Sequence, residues 1–181
     1  SLAKKIQKNR DVNPLNILNQ DVSRVGALEL KFYNKEFDFD YHSKLKKYLS
    51  KKKPVVFLMG LDEIDVSILK DSFVIYMGHN GDRSASVADI ILPTPAYTEK
   101  SSTYMNIEGR VFQTTKCHNP LGDAKEEWKV FRALSDIINN KLNFNNLSEL
   151  RKEIISSFSQ FAHLNEINPI KKISFGKIHK I

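Results

Sequence analysis

Three short, uninterrupted apolar runs constrain this chain more than any other feature: PVVFLMG at 54–60, SFVIYMGHNG at 72–81 and ADIILP at 88–93. Each closes on Gly or Pro and none alternates with polar residues, the pattern of a strand buried on both faces. The intervals between them hold one short helix or turn each. Strands spaced this way pair in parallel through right-handed crossovers, so 54–138 is expected to form an α/β core. Three parallel strands with two open edges make a poor independent sheet, which implies that a partner segment completes it.

The rest of the chain is organised around that core. SSTYMNIEGRVFQTT at 101–115 alternates strictly with Glu108-Gly109 midway, and predicts a small hairpin. Asp123 and Glu126 then make a capping-box-like start for a helix carrying Trp128, Phe131, Leu134 and Ile138, with Val130 and Ile137 beside them. Asn146 and Glu149 repeat the start signal for a second helix, with Leu147, Leu150, Ile154, Phe158 and Phe161 at helical spacing. Residues 1–50 read as a helical lead-in, with a helix over 14–28 and an aromatic, acidic link after it. Residues 139–181 read as a C-terminal helix and a tail, the stretch after Pro169 serving as an added strand or an arm. No internal repeat or low-complexity linker divides 1–181, so a single domain is expected.

Composition removes several function classes. With 41% hydrophobic and 27% charged residues over 181 positions, the chain is long and apolar enough to fold around a core. Its apolar runs fall far short of the roughly 20 residues that cross a bilayer, so no direct membrane insertion is expected. Cys117 is the only cysteine, which excludes an internal disulfide and a four-thiolate iron-sulfur cluster held by this chain alone. The net charge of +7 admits a nucleic-acid partner. The densest basic run, KLKKYLSKKK at 44–53, is better read as a helix with Leu45, Tyr48 and Leu49 inward and lysines on the wet face.

Candidate chemistry thins out on inspection. Gly60 with Asp62, and Gly78-His79-Asn80-Gly81-Asp82, stand where ligands bind in open α/β sheets. Asp62, Glu63, Asp65 and Asp82 crowd both turns with negative charge, which opposes a phosphate cradle, and Asp82 reads instead as an N-cap for SASVA. Cys117-His118 with His79 lacks zinc spacing. Glu99 and Glu108 form a conceivable acid-base pair, but Lys100 and Arg110 stand next to them and ion pairing explains them more simply. No GxSxG, P-loop or GxGxxG motif occurs. The expectation is therefore no catalytic, cofactor-binding or metal residue, and a polar loop system suited to a hydrogen-bond network.

The combination YMGHNGDRSASVADIILPTPAYTEKSSTYMNIEGRVFQTT followed by PLGDAKEEWKVFRALSDII closely resembles the C-terminal, molybdopterin-oxidoreductase-like domain of the largest iron-sulfur subunit of respiratory complex I. The likeness runs from about residue 73 to 138 and extends more thinly back through VVFLMG and NILNQDVSRVGALEL at 16–30. It implies the fold of molybdenum enzymes with no molybdopterin held in the mitochondrial complex. Where molybdenum enzymes of that fold carry a Gly-x-Asn-Pro turn, this chain has Gly60-Leu61-Asp62-Glu63.

The resemblance further implies a structural role in the peripheral arm of NADH:ubiquinone oxidoreductase. Iron-sulfur clusters and FMN are expected on partner chains, and the expected partners are other complex I subunits, especially the cluster-bearing N-terminal part of the same subunit. The expected location is the matrix side of the mitochondrial inner membrane, or the cytoplasmic face of a bacterial one. The chain is then either a separately encoded half of that subunit or an excerpt of it. Asp89, Glu99, Tyr104, Asn106, Glu108 and Arg110 in the loops, and Trp128 in the helix, are the expected architectural residues. A fragment of a working molybdopterin oxidoreductase and a basic nucleic-acid-binding module are the rival readings.

Overall fold

The computed structural model describes residues 21–32, 46–50, 53–61, 63–81 and 83–166. The expectations for the start of the first helix, the acidic link, Asp62, Leu45, the Asp82 cap and the tail after Pro169 lie outside the described residues. The chain divides into two compact units, Asp38–Ser102 with Thr114–Glu153, and Ser1–Phe37 with Thr103–Gln113 and Ile154–Ile181.

The first unit is built on the three apolar runs. They form β1 (Val55–Met59), β2 (Phe73–Gly78) and β3 (Ile90–Pro93), all parallel and in the order β1-β2-β3. Residues in register share a face: Val55 stands beside Phe73, and Tyr76 between Leu58 and Ile91. On one face Val56, Leu58, Val74 and Tyr76 pack with Leu49 of the helical segment 46–50 and with Ile68 and Leu69 of the 3-10 turn Val66–Leu69. Ala85 of the short helix α2 (Arg83–Ser86) joins them. On the other face, the Phe57 ring meets Phe131 of helix α3 (Glu127–Ile137) with centroids 5.4 Å apart, and Met77 is wholly buried. This is the α/β arrangement that the sequence pattern requires. Tyr48, expected inward, is exposed, so only Leu49 from the described part of the lysine run enters the core.

Helix α3 starts and stops differently from the sequence expectation. Glu126 is its N-cap residue but makes no side-chain cap bond. Its carboxylate instead accepts from the Trp128 indole N–H at 3.0 Å and pairs with Lys129 at 2.8 Å, a stronger charge-assisted bond than a neutral backbone N–H offers. At the other end Asn139 takes φ 54°, and the N–H groups of Asn139 and Asn140 reach back to Asp136 O and Ser135 O at 3.2 and 3.0 Å. These paired bonds form a Schellman stop. It ends the apolar stripe early, leaving Ile137 and Ile138 exposed. Helix α4 (Leu147–Ser157) opens as expected: Glu149 N–H donates to Asn146 Oδ1 at 2.9 Å, while its carboxylate accepts from Asn145 N–H at 2.6 Å.

The second unit contains helix α1 (Arg24–Glu29) and the hairpin of β4 (Thr103–Met105) and β5 (Val111–Gln113). The hairpin is antiparallel, with Tyr104 opposite Phe112. Val25, Met105, Val111 and Phe161 form its core, flanked by Ile154 and Phe158. Phe161 reaches that core from the 3-10 turn Ser159–Ala162, although its periodicity placed it on the helix itself.

Candidate functional site

The carboxyl ends of β1 and β2 are where a ligand would be sought, and several of their polar groups are engaged within the chain. Gly60, at φ 58°, turns the chain off β1, and its N–H donates to Met77 O at 2.7 Å. Ser84, fully buried in α2, donates its hydroxyl to Leu61 O at 2.6 Å and ties that turn to the helix following β2. Asp65 Oδ1 accepts from Ser67 N–H at 3.0 Å, capping the 3-10 turn. Over β2, the buried Tyr76 hydroxyl donates to Asn80 O at 2.9 Å. The ring lies so close to Gly78 that a Cβ there would stand 2.2 Å from its oxygen. The consecutive order β1-β2-β3 also contains no reversal of strand order, the feature that opens a ligand crevice in such sheets.

The expected loop residues divide between the units. In the first, Asp89 clamps the start of the sheet: its N–H donates to Val74 O at 2.8 Å and its carboxylate accepts from Val74 N–H at 2.7 Å. The side chain thereby supplies the acceptor that a longer β3 would have provided. Glu99 Oε2 accepts from Ala96 N–H at 3.0 Å, closing the loop after β3. Lys100 pairs with Glu127 at the start of α3 rather than with its neighbour Glu99, which corrects the expected pairing. The Glu99 carboxylate is turned back onto the Ala96 N–H, whereas Glu127 arrives from another element.

In the second unit Asn106 organises the hairpin turn. Its Oδ1 accepts from the N–H groups of both Glu108 and Arg110 at 3.0 Å, and its amide donates to Glu108 Oε2 at 3.3 Å. Glu108 therefore answers Asn106 and not Arg110, a second correction, produced by the turn geometry around Gly109 at φ 78°. Tyr104 stacks obliquely on Phe112 across the strands, with centroids 5.6 Å apart. None of these side chains forms a nucleophile and base couple.

Trp128 holds Glu126 and lies edge-on to Phe144 at 6.3 Å. Burial pushes the Glu126 carboxyl up. The hydrogen bonds from Lys129 and Trp128, with the charges of Lys129 and Lys116, outweigh it and hold the group below the usual carboxylate range. Cys117 is exposed, and His118 Nδ1 lies 2.9 Å from Asn119 O. Among the described residues no group of three or more His, Cys, Asp or Glu is placed to hold a metal, and no helix is long and apolar enough to cross a membrane.

Sequence reasoning missed the residues that join distant segments. Ser84 and Tyr76 are two; Arg132 and Ser135 are two more. Arg132 Nε donates to Phe144 O at 2.8 Å and its Nη1 pairs with Asp136 at 2.7 Å. Ser135, also buried, accepts from Leu142 N–H at 3.1 Å, fixing the link between α3 and α4. No local pattern marks the Ser84–Leu61, Arg132–Phe144 and Ser135–Leu142 bonds, because those partners lie on other elements or loops.

Residues 1–137 match the family model described as molybdopterin oxidoreductase. The chain is 38% identical over 170 residues to the NADH-ubiquinone oxidoreductase 75 kDa subunit of Reclinomonas americana, covering 91% of this chain and 23% of that protein. It is 41% identical over 171 residues to the mitochondrial NADH-ubiquinone oxidoreductase 78 kDa subunit of Candida albicans, covering 92% and 22% respectively. With an NADH-quinone oxidoreductase subunit of Rickettsia bellii it shares 34% identity over 171 residues, covering 94% and 24%. The chain thus spans less than a quarter of the length of these relatives.

Proposed function

The chain belongs to the molybdopterin oxidoreductase family, and on that footing we propose that it is a structural part of the peripheral arm of an NADH:ubiquinone oxidoreductase. In this role it supports electron transfer from NADH toward quinone and binds no redox centre of its own. Iron-sulfur clusters and FMN reside on partner chains, and its partners are other complex I subunits, especially the cluster-bearing N-terminal part of the same subunit. Its location is peripheral, on the matrix side of the mitochondrial inner membrane.

One observation carries the reading: at the strand ends where the family's cofactor would be sought, the Gly60 N–H and the Ser84 and Tyr76 hydroxyls are already engaged in the chain's own bonds. A pterin-nucleotide group presents phosphates, which require free backbone N–H groups and no competing anions. Here the Gly60 N–H is engaged by Met77 O, the Ser84 hydroxyl by Leu61 O, and the Tyr76 hydroxyl, beside Gly78, by Asn80 O. Glu63 and Asp65 add negative charge beside the β1 turn. The residues present do not fit the group, and no reaction step is derived through it. The names of the relatives supply the second support, since all are subunits of NADH-ubiquinone or NADH-quinone oxidoreductases.

The test is a native gel of solubilised membranes. The chain is expected to migrate with NADH-oxidising activity and with the cluster-bearing polypeptide, in an assembly containing no molybdenum in proportion to this chain. Stoichiometric molybdenum contradicts the structural role and favours a working molybdopterin enzyme. Separate migration, with salt-sensitive retention on nucleic acid, contradicts it in favour of a basic binding module.

A further inference from the structure

The two edges of the sheet are not equivalent. At β1, Pro54 O accepts from Phe73 N–H at 3.0 Å and Gly60 N–H donates to Met77 O at 2.7 Å. Residues 54, 56, 58 and 60 therefore face β2, and by alternation the N–H and C=O groups of Val55, Phe57 and Met59 face away from it. Among the described residues none of those outward groups is bonded. At β3 the alternation is set by Thr94 N–H, which donates to Gly78 O at 3.0 Å, so Ile91 and Pro93 face away. Pro93 has no N–H, and its carbonyl already accepts from Lys125 N–H at 3.1 Å. Only Ile91 keeps an open donor and acceptor there. A proline with its missing N–H turned outward is a usual termination of a sheet edge.

The outer edge of β3 is thus finished, while β1 presents a continuous row of unpaired backbone with apolar side chains beside it. Val55 is 59% exposed and Met59 47%. At the end of that row nothing lies within 4 Å of where a Cβ on Gly60 would stand. We infer that β1 is an interaction edge, built to receive a further strand in the sheet. Its occupant is a strand from the cluster-bearing part of the subunit, within the three quarters or more of the relatives' length that these 181 residues do not span. That strand carries an apolar side chain on the face of Val55 and Met59, covering both. This rests on the structural role proposed above, and it adds the place and manner of contact.

Hydrogen-deuterium exchange on the purified NADH-oxidising assembly, resolved to single amides, tests the assignment. The amides of Val55, Phe57 and Met59 are expected to exchange at least about 100-fold more slowly than free amides, with Ile91 slowed less than about tenfold. Fast exchange at the three β1 amides overturns the edge assignment, as does slow exchange at Ile91 alone. A photo-cross-linking residue in place of Met59 identifies the occupant: linkage to the cluster-bearing part of the subunit supports the proposal, while linkage within residues 1–181 or to any other subunit overturns it. Absence of this chain from the assembly overturns the structural role and the edge assignment together, whereas its presence with fast β1 amides overturns the edge assignment alone.

Discussion

Replacing Gly78 with alanine puts the closure of the strand ends to a quantitative test. The Gly78 backbone lies outside the left-handed region, so a Cβ brings no conformational strain of its own. It does bring a collision: the new methyl would stand 2.2 Å from the Tyr76 hydroxyl oxygen and 2.5 Å from Cζ. Ordinary contact requires the ring end to retreat by more than about 1 Å. The ring is rigid and 2% exposed, so it cannot swing into solvent cheaply, and retreat breaks its bond to Asn80 O. Overpacking of this kind costs about 1–3 kcal/mol and the lost hydrogen bond about 1 kcal/mol. A total of about 2–4 kcal/mol follows, a large share of the roughly 5–15 kcal/mol that holds a domain together.

The assay is urea denaturation followed by the fluorescence of Trp128, the single tryptophan. A loss of about 3 kcal/mol moves the midpoint down by roughly 1–2 M for an ordinary denaturant slope. Tyr76→Leu provides the decisive comparison, since leucine lacks the far end of the ring. The double variant Gly78→Ala, Tyr76→Leu is expected to be no less stable than Tyr76→Leu alone, a coupling of about 2–4 kcal/mol. Additive losses would refute the reasoning, because the cost of the methyl would then arise somewhere other than Tyr76.

Three further outcomes follow from the same geometry. Ser135→Ala leaves the Leu142 N–H without its acceptor and should lower stability by about 1–3 kcal/mol, read as a midpoint shift in the same denaturation. Asn106→Ala removes the acceptor for two turn N–H groups, so it should reduce thermal stability by about 1–3 kcal/mol, more than Arg110→Ala, whose backbone N–H keeps its place while only its side chain is lost. Glu126, with its folded-state pKa depressed, contributes stability that is present above the unfolded value near 4.3 and is lost as pH falls through the folded value. Glu126→Gln should therefore flatten the fall in denaturation midpoint between pH 5 and about pH 3, and an unchanged slope would remove Glu126 from the acid response.

Periodicity carried the fold because its signals are local. VVFLM, FVIYMG and IILP became parallel strands since their continuous apolarity suits burial on two faces, and the 101–115 alternation became the β4–β5 hairpin. Side-chain partners were less legible, because a charged group takes the best counterion in space and not in sequence. Lys100 crosses to Glu127, and Glu126 turns from capping a helix to holding Trp128 and Lys129. Ser84 and Arg132 left no trace in the pattern, since their carbonyl partners Leu61 and Phe144 lie 23 and 12 residues away.

The same distinction explains why the candidate site was legible mainly through its acidic turns. The sequence places Asp and Glu after both strands, enough to oppose a phosphate, but whether backbone donors remain free depends on bonds that only the folded chain makes. Those bonds run inward at the strand ends, through Gly60, Ser84 and Tyr76. They stay open along one side, at Val55, Phe57 and Met59. Engaged groups at the strand ends beside an unpaired edge backbone suit the joining to further protein proposed above. The β3 edge carries the contrast, because Pro93 and Lys125 close there what β1 leaves open.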